Sequence, residues 1–196
     1  MTLSVVTWIG HGDADRADRL RAAVDSAGYR IVCQSRSLIE LRRVVLMGQP
    51  DVMVLDAEMF TIDLLDEIAQ LYRERPMPMV AFVDRSDADT THAAVQAGIS
   101  CYVIDGFAAK RLKSVIEAAT ARFIAWQSLR RECEAASTQL AERKTIERAK
   151  GILMRRRNLP EDGAYQVLRK MAMDRGKRLS QVAQGIIEAE ALLASR

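Results

Sequence analysis

The residues best suited to chemistry, by type and spacing, are basic side chains in the last third of this 196-residue chain. Between residues 143 and 178, 12 Lys and Arg stand against 4 Asp and Glu, which leaves a net charge of +8. Clustered cations neutralise phosphates and release counterions, so their binding weakens steeply with salt. The segment therefore predicts an anionic partner, while a solvated helix face is the alternative that charge alone leaves open.

The formal charge of the whole chain, +3, conceals this segment. Residues 1–136 hold 16 Lys and Arg against 19 Asp and Glu, a net charge of −3. Residues 137–196 hold 13 against 7, a net charge of +6. An acidic front and a basic tail favour two modules over one.

Other kinds of chemistry find little support in the composition. The three cysteines, Cys33, Cys101 and Cys133, are far apart, and the only histidines are His11 and His92. Neither a metal site, nor a disulfide framework, nor a pair of base and nucleophile can be built from them. We expect a protein that is not an enzyme and holds no cofactor or metal. The first residues have neither a basic leader nor a long apolar stretch, so the sequence predicts a cytoplasmic protein without a membrane partner.

Five short apolar runs alternate with helical patterns through the front of the chain. Runs without polar alternation are typical of strands covered on both faces, and strands that alternate with helices favour a parallel, doubly wound sheet. The predicted strands are residues 3–9, 29–34, 52–55, 78–83 and 101–104.

A long helix is predicted from Ala108, where glycine is absent up to residue 150. Apolar residues follow a heptad-like spacing with one stutter. Some thirty residues at about 1.5 Å each would run roughly 45 Å, which overshoots the first domain. We expect two copies of the chain to pair in a parallel coiled coil, and a helix folded back on its own domain is the alternative. The seam comprises Leu112, Ile116, Ala119, Phe123, Trp126, Leu129, Cys133, Ala136 and Leu140.

The fragments PDVMVLD (50–56) and YVIDGF (102–107) resemble the receiver domain of bacterial response regulators. The resemblance implies a five-stranded flavodoxin- or CheY-like fold with Asp56 at the phosphoacceptor place. The receiver's site is not preserved around it, because a hard cation needs carboxylates and an acyl phosphate needs an opposing lysine. His11 and Gly12 stand where the acidic pair is expected, and Asp13 follows one position late. Val83 stands in place of the hydroxyl residue, and Asp105 in place of the lysine. We therefore interpret the domain as a pseudo-receiver.

Residues 142–187, with the run AKGILM at 149–154, resemble the ANTAR domain. Together with the receiver-like front, the chain is similar to the AmiR/NasT class of transcription antiterminators. The resemblance implies an all-α, three-helix domain that binds paired RNA hairpins in a leader transcript and prevents a terminator from forming. It also implies control by a ligand-sensing regulator protein of the nitrate or amide type. The candidate RNA-binding residues are Arg148, Lys150, Gly151, Arg155, Arg156, Tyr165, Arg169, Lys170, Lys177 and Arg178.

These resemblances divide the chain into three parts. Residues 1–107 are predicted to be the pseudo-receiver, 108–140 the connecting coiled-coil helix and 141–196 the ANTAR domain. The alternative function is a response regulator phosphorylated at Asp56 that binds RNA or DNA. The last helix, however, is neutral to acidic, which is unlike a DNA recognition helix. A dimeric adaptor without nucleic acid is a further alternative.

Overall fold

The computed structural model describes residues 3–10, 14–104 and 106–194. The chain divides into two compact units, a first unit of residues 1–127 and a second unit of residues 128–196. The division falls inside the predicted connecting helix rather than at residues 107 and 140. The reason is that each end of this helix packs into the core of a different unit.

The first unit contains a five-stranded parallel sheet in the order β2-β1-β3-β4-β5. This order is that of the flavodoxin-like doubly wound folds, so the predicted fold class is confirmed. The three central strands are almost entirely buried, as their unbroken apolar runs predict. The strands are β1 (Ser4–Ile9), β2 (Arg30–Ser35), β3 (Val52–Ala57), β4 (Met79–Val83) and β5 (Cys101–Val103).

Helices cover both faces of this sheet. The sequence caps three of them locally: the side chains of Ser37, Thr61 and Asp87 each accept a hydrogen bond from a first-turn backbone N–H. One face packs against α2, α3 and α4, and the other against α1 and the start of α5. The helices are α1 (Ala14–Ser26), α2 (Leu38–Gly48), α3 (Ile62–Glu74), α4 (Ala88–Gln96) and, after a 3-10 turn at Ala109–Arg111, α5 (Leu112–Arg157).

The long helix α5 is 46 residues and continues without a break past residue 140. Leu112, Ile116 and Ala119 are completely buried in the first unit, against α1 and the sheet. They cannot belong to a seam between two chains, so the seam prediction is wrong for these three residues. At these positions the heptad-like spacing results from packing of the helix on its own domain.

The second unit consists of the later turns of α5 with α6 (Glu161–Arg175) and α7 (Leu179–Ala194). Their apolar faces meet in one small core that includes Ala149, Leu153, Leu168 and Ala183. Asn158 adopts a positive φ of 48° just after α5, and Pro160 precedes α6. This core confirms the predicted three-helix bundle. Among the described residues, no helix is both long and apolar enough to cross a membrane.

Candidate functional site: a closed receiver site and a basic helix face

Asp56 lies near the carboxyl end of β3, completely buried, and both of its side-chain oxygens are engaged. Arg16 of α1 donates from Nε to Oδ2 at 2.8 Å and from Nη2 to Oδ1 at 2.6 Å. This is a bidentate arginine–carboxylate pair, the strongest common geometry for such a contact. The place predicted for a phosphoacceptor is thus occupied by an intramolecular ion pair.

The same guanidinium also holds Asp84, directly after β4. Arg16 donates from Nη1 to Oδ2 of Asp84 at 2.7 Å, and from Nη2 to Oδ1 at 3.1 Å and to the carbonyl oxygen of Ala57 at 2.9 Å. One arginine therefore ties α1 to the ends of two neighbouring strands. It places one positive charge between two carboxylates.

The ionisation of this group follows from its surroundings. Burial raises the pKa of Asp56, while the hydrogen bonds and charge of Arg16 act in the opposite direction. The hydrogen bond to Asp56 is the largest cause that raises the pKa of Arg16, so the guanidinium stays charged. Arg16 is therefore the group on which the charged form of Asp56 depends.

Only part of the predicted receiver site can be placed. Val83 is the buried last residue of β4, beside Ala57 of β3, and offers no hydroxyl. The predicted site residues His11, Gly12, Asp13 and Asp105 lie outside the described residues. Sequence reasoning missed Arg16. The missing lysine could have pointed to it, since two strand-end carboxylates without that lysine need another cation nearby.

In the second unit, basic residues form an exposed row along α5. Lys144, Arg148, Gly151 and Arg155 are spaced by four, three and four residues, which places them on one helix face. The three charged side chains are exposed. A Cβ atom on Gly151 would meet only the Nη1 atom of Arg155, at 3.9 Å, so the space above this glycine is open. We call these four residues the α5 stripe. Lys144 was missing from the predicted contacts, although the same spacing indicates it.

Lys150, one of the predicted RNA contacts, does not belong to this stripe and is paired with carboxylates of its own unit. Its side chain is only 9% exposed, and Nζ donates to both carboxylate oxygens of Glu147 at 3.0 Å and to Glu161 at 2.7 Å. The bond to Glu161 is the largest cause that raises the pKa of Lys150. Lys150 therefore joins α5 to the start of α6. Arg156 is likewise paired, with Glu190 of α7 at 3.0 Å.

The other predicted contacts lie on α6 and the turn that follows it. Tyr165 and Arg169 are exposed and four residues apart, hence on one face of α6. Lys170, Lys177 and Arg178 are also exposed. A ring beside a guanidinium can stack on an unpaired base while the cation meets a phosphate.

The sequence of this chain is similar to a known domain family and to known regulatory proteins. The family model for the ANTAR domain matches residues 134–187. The transcriptional regulatory protein PdtaR of Mycobacterium tuberculosis is 30% identical over 174 residues, covering 89% of this chain and 83% of that protein. A nitrate regulatory protein of Klebsiella oxytoca is 45% identical over 53 residues, which are 27% of this chain and 13% of that protein.

Solved structures resemble the first unit in fold. A receiver domain of a modulated diguanylate cyclase from Desulfovibrio desulfuricans G20 matches with a TM-score of 0.54 and 21% identity, covering 64% of this chain and 98% of that chain. A response regulator from Thermotoga maritima matches with a TM-score of 0.52 and 14% identity, covering 62% and 99%. At these identities the likeness shows the receiver fold and carries nothing about the site.

Proposed function

Since this chain belongs to the family of transcriptional regulators that carry an ANTAR domain, we propose that it acts as an antiterminator on RNA. Its second unit binds paired hairpins in a leader transcript, and the bound hairpins prevent a terminator from forming. The observation that carries this proposal is the α5 stripe, an exposed row of cations interrupted only by a glycine. Cations that form no ion pair with carboxylates of their own domain can pair with phosphates.

A comparison of RNA with DNA tests this function. We expect the full chain to retard a two-hairpin leader RNA in gel shifts and to bind duplex DNA of matched length much more weakly. The preference should persist at two salt concentrations, although both affinities fall as salt rises. Equal affinity for the two nucleic acids, or none for the RNA, would contradict the proposal.

Gly151 provides a second prediction, because its effects on folding and on binding should have opposite signs. Replacing it by alanine should stabilise α5 by about 1 kcal/mol, since glycine in a helix interior is that much less favourable. The open space above it accepts the added methyl group. If an RNA backbone approaches closely there, affinity for the hairpins should nevertheless fall. Thermal unfolding and gel shifts on one preparation measure both effects.

Gly185 of α7 serves as the matched control for this variant. It also lies in a helix, and a Cβ atom there would meet nothing within 4 Å. Gly185→Ala should stabilise the second unit without weakening RNA binding. Unchanged binding by Gly151→Ala would show that RNA does not approach this glycine.

Phosphorylation does not control this protein in our proposal. A phosphoryl group on Asp56 would have to displace Arg16 from a completely buried carboxylate. Removing one partner of such a pair is costly, because the other charge is left buried without compensation. The pseudo-receiver serves instead as a surface for a ligand-sensing regulator protein. The nitrate regulatory protein that is 45% identical over 53 residues favours, by its name, a signal of the nitrate type.

Phosphoryl analogues test this form of control. Acetyl phosphate, or beryllofluoride with Mg²⁺, should leave the oligomeric state and the hairpin affinity of the chain unchanged. Light scattering and gel shifts measure the two quantities. A change that Asp56→Asn abolishes would instead establish the alternative, a response regulator with Asp56 as acceptor.

Of the six other residues of the predicted seam, the four that lie in the second unit support pairing of two chains. Leu129, Cys133, Ala136 and Leu140 are exposed on α5 in the second unit and keep spacings of four, three and four. A parallel coiled coil buries such a row. Two copies would then present two ANTAR domains to two hairpins, and binding would gain from avidity.

A disulfide cross-link at Cys133 tests whether two chains pair in parallel along α5. In a parallel, in-register pair the two Cys133 side chains face each other, so mild oxidation with copper phenanthroline should produce a disulfide-linked dimer on a non-reducing gel. Cys133→Ser should abolish the dimer band, whereas Cys33→Ser and Cys101→Ser should retain it. A monomer before and after oxidation would contradict the parallel pairing.

A further inference from the structure

The first unit contains a cavity of about 430 Å³ at the ends of α3 and α4, closed on one side by α5. Pockets for small molecules start at about 300 Å³ and are mostly apolar, with few polar groups. The walls here follow that description, with Tyr72, Ile99 and Phe123 lining the cavity. Neither the receiver resemblance nor the RNA-binding surface accounts for this site.

Gly98 keeps one wall in place. Its φ is +91°, which side-chain-bearing residues rarely adopt, and an added Cβ atom would lie 2.6 Å from the ring of Tyr72. The ring therefore packs directly over the glycine. Tyr72 also meets Phe123 edge to face, with centroids 6.5 Å apart. These contacts fix the aromatic walls before any ligand arrives.

The rim of the cavity combines uncovered apolar surface with a cation. Trp126 is 58% exposed and Val95 is 62% exposed. Arg122 donates from Nη1 to the carbonyl oxygen of Ser100 at 3.2 Å, which holds its guanidinium at the rim. Among the described residues no carboxylate forms an ion pair with Arg122. Its remaining donors form a fork suited to a planar carboxylate.

We infer that this cavity binds a small carboxylate with an aromatic body. The body fills the space between Tyr72 and Phe123 and covers Trp126, and the carboxylate pairs with Arg122. This site goes beyond the proposed function and does not depend on RNA binding.

The emission of Trp126 provides the readout, and para-biphenylcarboxylate with its neutral amide provides the probes. Titrating the acid into the full chain should saturate and shift the tryptophan emission to shorter wavelength. The amide should bind at least about tenfold more weakly, since it lacks the negative charge and the second acceptor oxygen with which a carboxylate pairs with a guanidinium. Trp126→Phe should remove the spectral shift, because the other tryptophan, Trp8, is buried.

Substitutions of two arginines, one at the rim and one elsewhere, test whether Arg122 binds the carboxylate of the probe. Arg122→Gln should weaken binding of the acid about tenfold and abolish its advantage over the amide. Arg21→Gln, a change of an exposed arginine on α1, should alter neither. Failure of the acid to bind, or equal binding of both probes to all variants, would overturn the inference. A blue shift that depends on protein concentration alone would overturn it too, by assigning the face to a second copy of the chain.

Discussion

Replacing Arg16 by methionine should destabilise the first unit by about 3–5 kcal/mol, the usual cost of removing one partner of a buried ion pair. Asp56 is completely buried and would lose both of its charged hydrogen bonds. Asp84 would lose its partner as well, at a smaller cost because it is partly exposed. Urea unfolding followed by the emission of buried Trp8 measures the loss. Arg21→Met, an exposed change on the same helix, should alter the free energy of unfolding by less than about 0.5 kcal/mol.

The deficit of this variant should depend on pH, and the sign follows from Asp56. Burial raises the pKa of Asp56 and Arg16 opposes that rise, so without Arg16 the pKa of the folded form climbs further above the unfolded value. Such a group contributes stability at low pH that is lost as pH rises through the folded pKa. Arg16→Met should therefore recover stability relative to the natural chain as pH falls from about 7 towards about 4, the ordinary range of Asp.

A second substitution tests whether charge is the cause. Adding Asp56→Asn to Arg16→Met replaces a buried, uncompensated carboxylate with a neutral amide, which costs less to bury. The double variant should be more stable than Arg16→Met at neutral pH and should lose its pH dependence. A deficit that is independent of pH and not relieved by Asp56→Asn would mean that Arg16 acts through packing alone.

The sheet could be predicted from sequence because burial on both faces leaves a simple trace. Runs such as VMVL at 52–55 have no polar residue to place on a face exposed to solvent. A helical pattern separates each run from the next, which favours parallel strands over hairpins. The ANTAR bundle was predictable for a similar reason, since each short helix carries one apolar face that must meet the others. Local patterns suffice where the partner is another regular element of the same unit.

Side-chain partners distant in sequence could not be predicted in this way. Arg16 forms an ion pair with Asp56, 40 residues away in the sequence, and Lys150 forms one with Glu161 on the other side of a helix break. The α5 seam shows the same limit, because a heptad row has one spacing whether it packs on its own domain or on another chain. The first three residues of the predicted seam pack into the core of their own domain. Periodicity states that a face is apolar and does not state what covers it.

The same limit applied to the basic tail, where the pairing of individual cations decides which can meet RNA. Lys150 and Arg156 are held by carboxylates of their own domain, whereas Arg148 and Arg155 are exposed and make no ion pair within the described residues. A charge count treats the four alike. We expect the two unpaired residues to carry more of the electrostatic binding.

Replacing Arg148 and Arg155 together by glutamine should weaken hairpin binding strongly at low salt and much less at high salt. Each phosphate contact adds about 0.7–0.9 to the slope of log affinity against log salt, so losing two should reduce that slope by about 1.4–1.8. Both side chains are exposed, so the free energy of unfolding should change by less than about 0.5 kcal/mol. Gel shifts over a salt series measure the slope.

Arg111 and Lys113 supply the matched control, because replacing both by glutamine removes the same charge from exposed positions in the first unit. A loss of charge outside the second unit should lower affinity slightly at low salt and leave the slope nearly unchanged, since counterion release requires cations in contact with phosphates. If both double variants changed the slope equally, the α5 stripe would contribute only to the net charge. If only Arg148 and Arg155 changed it, the RNA backbone would lie along this face of α5, beside the open space above Gly151.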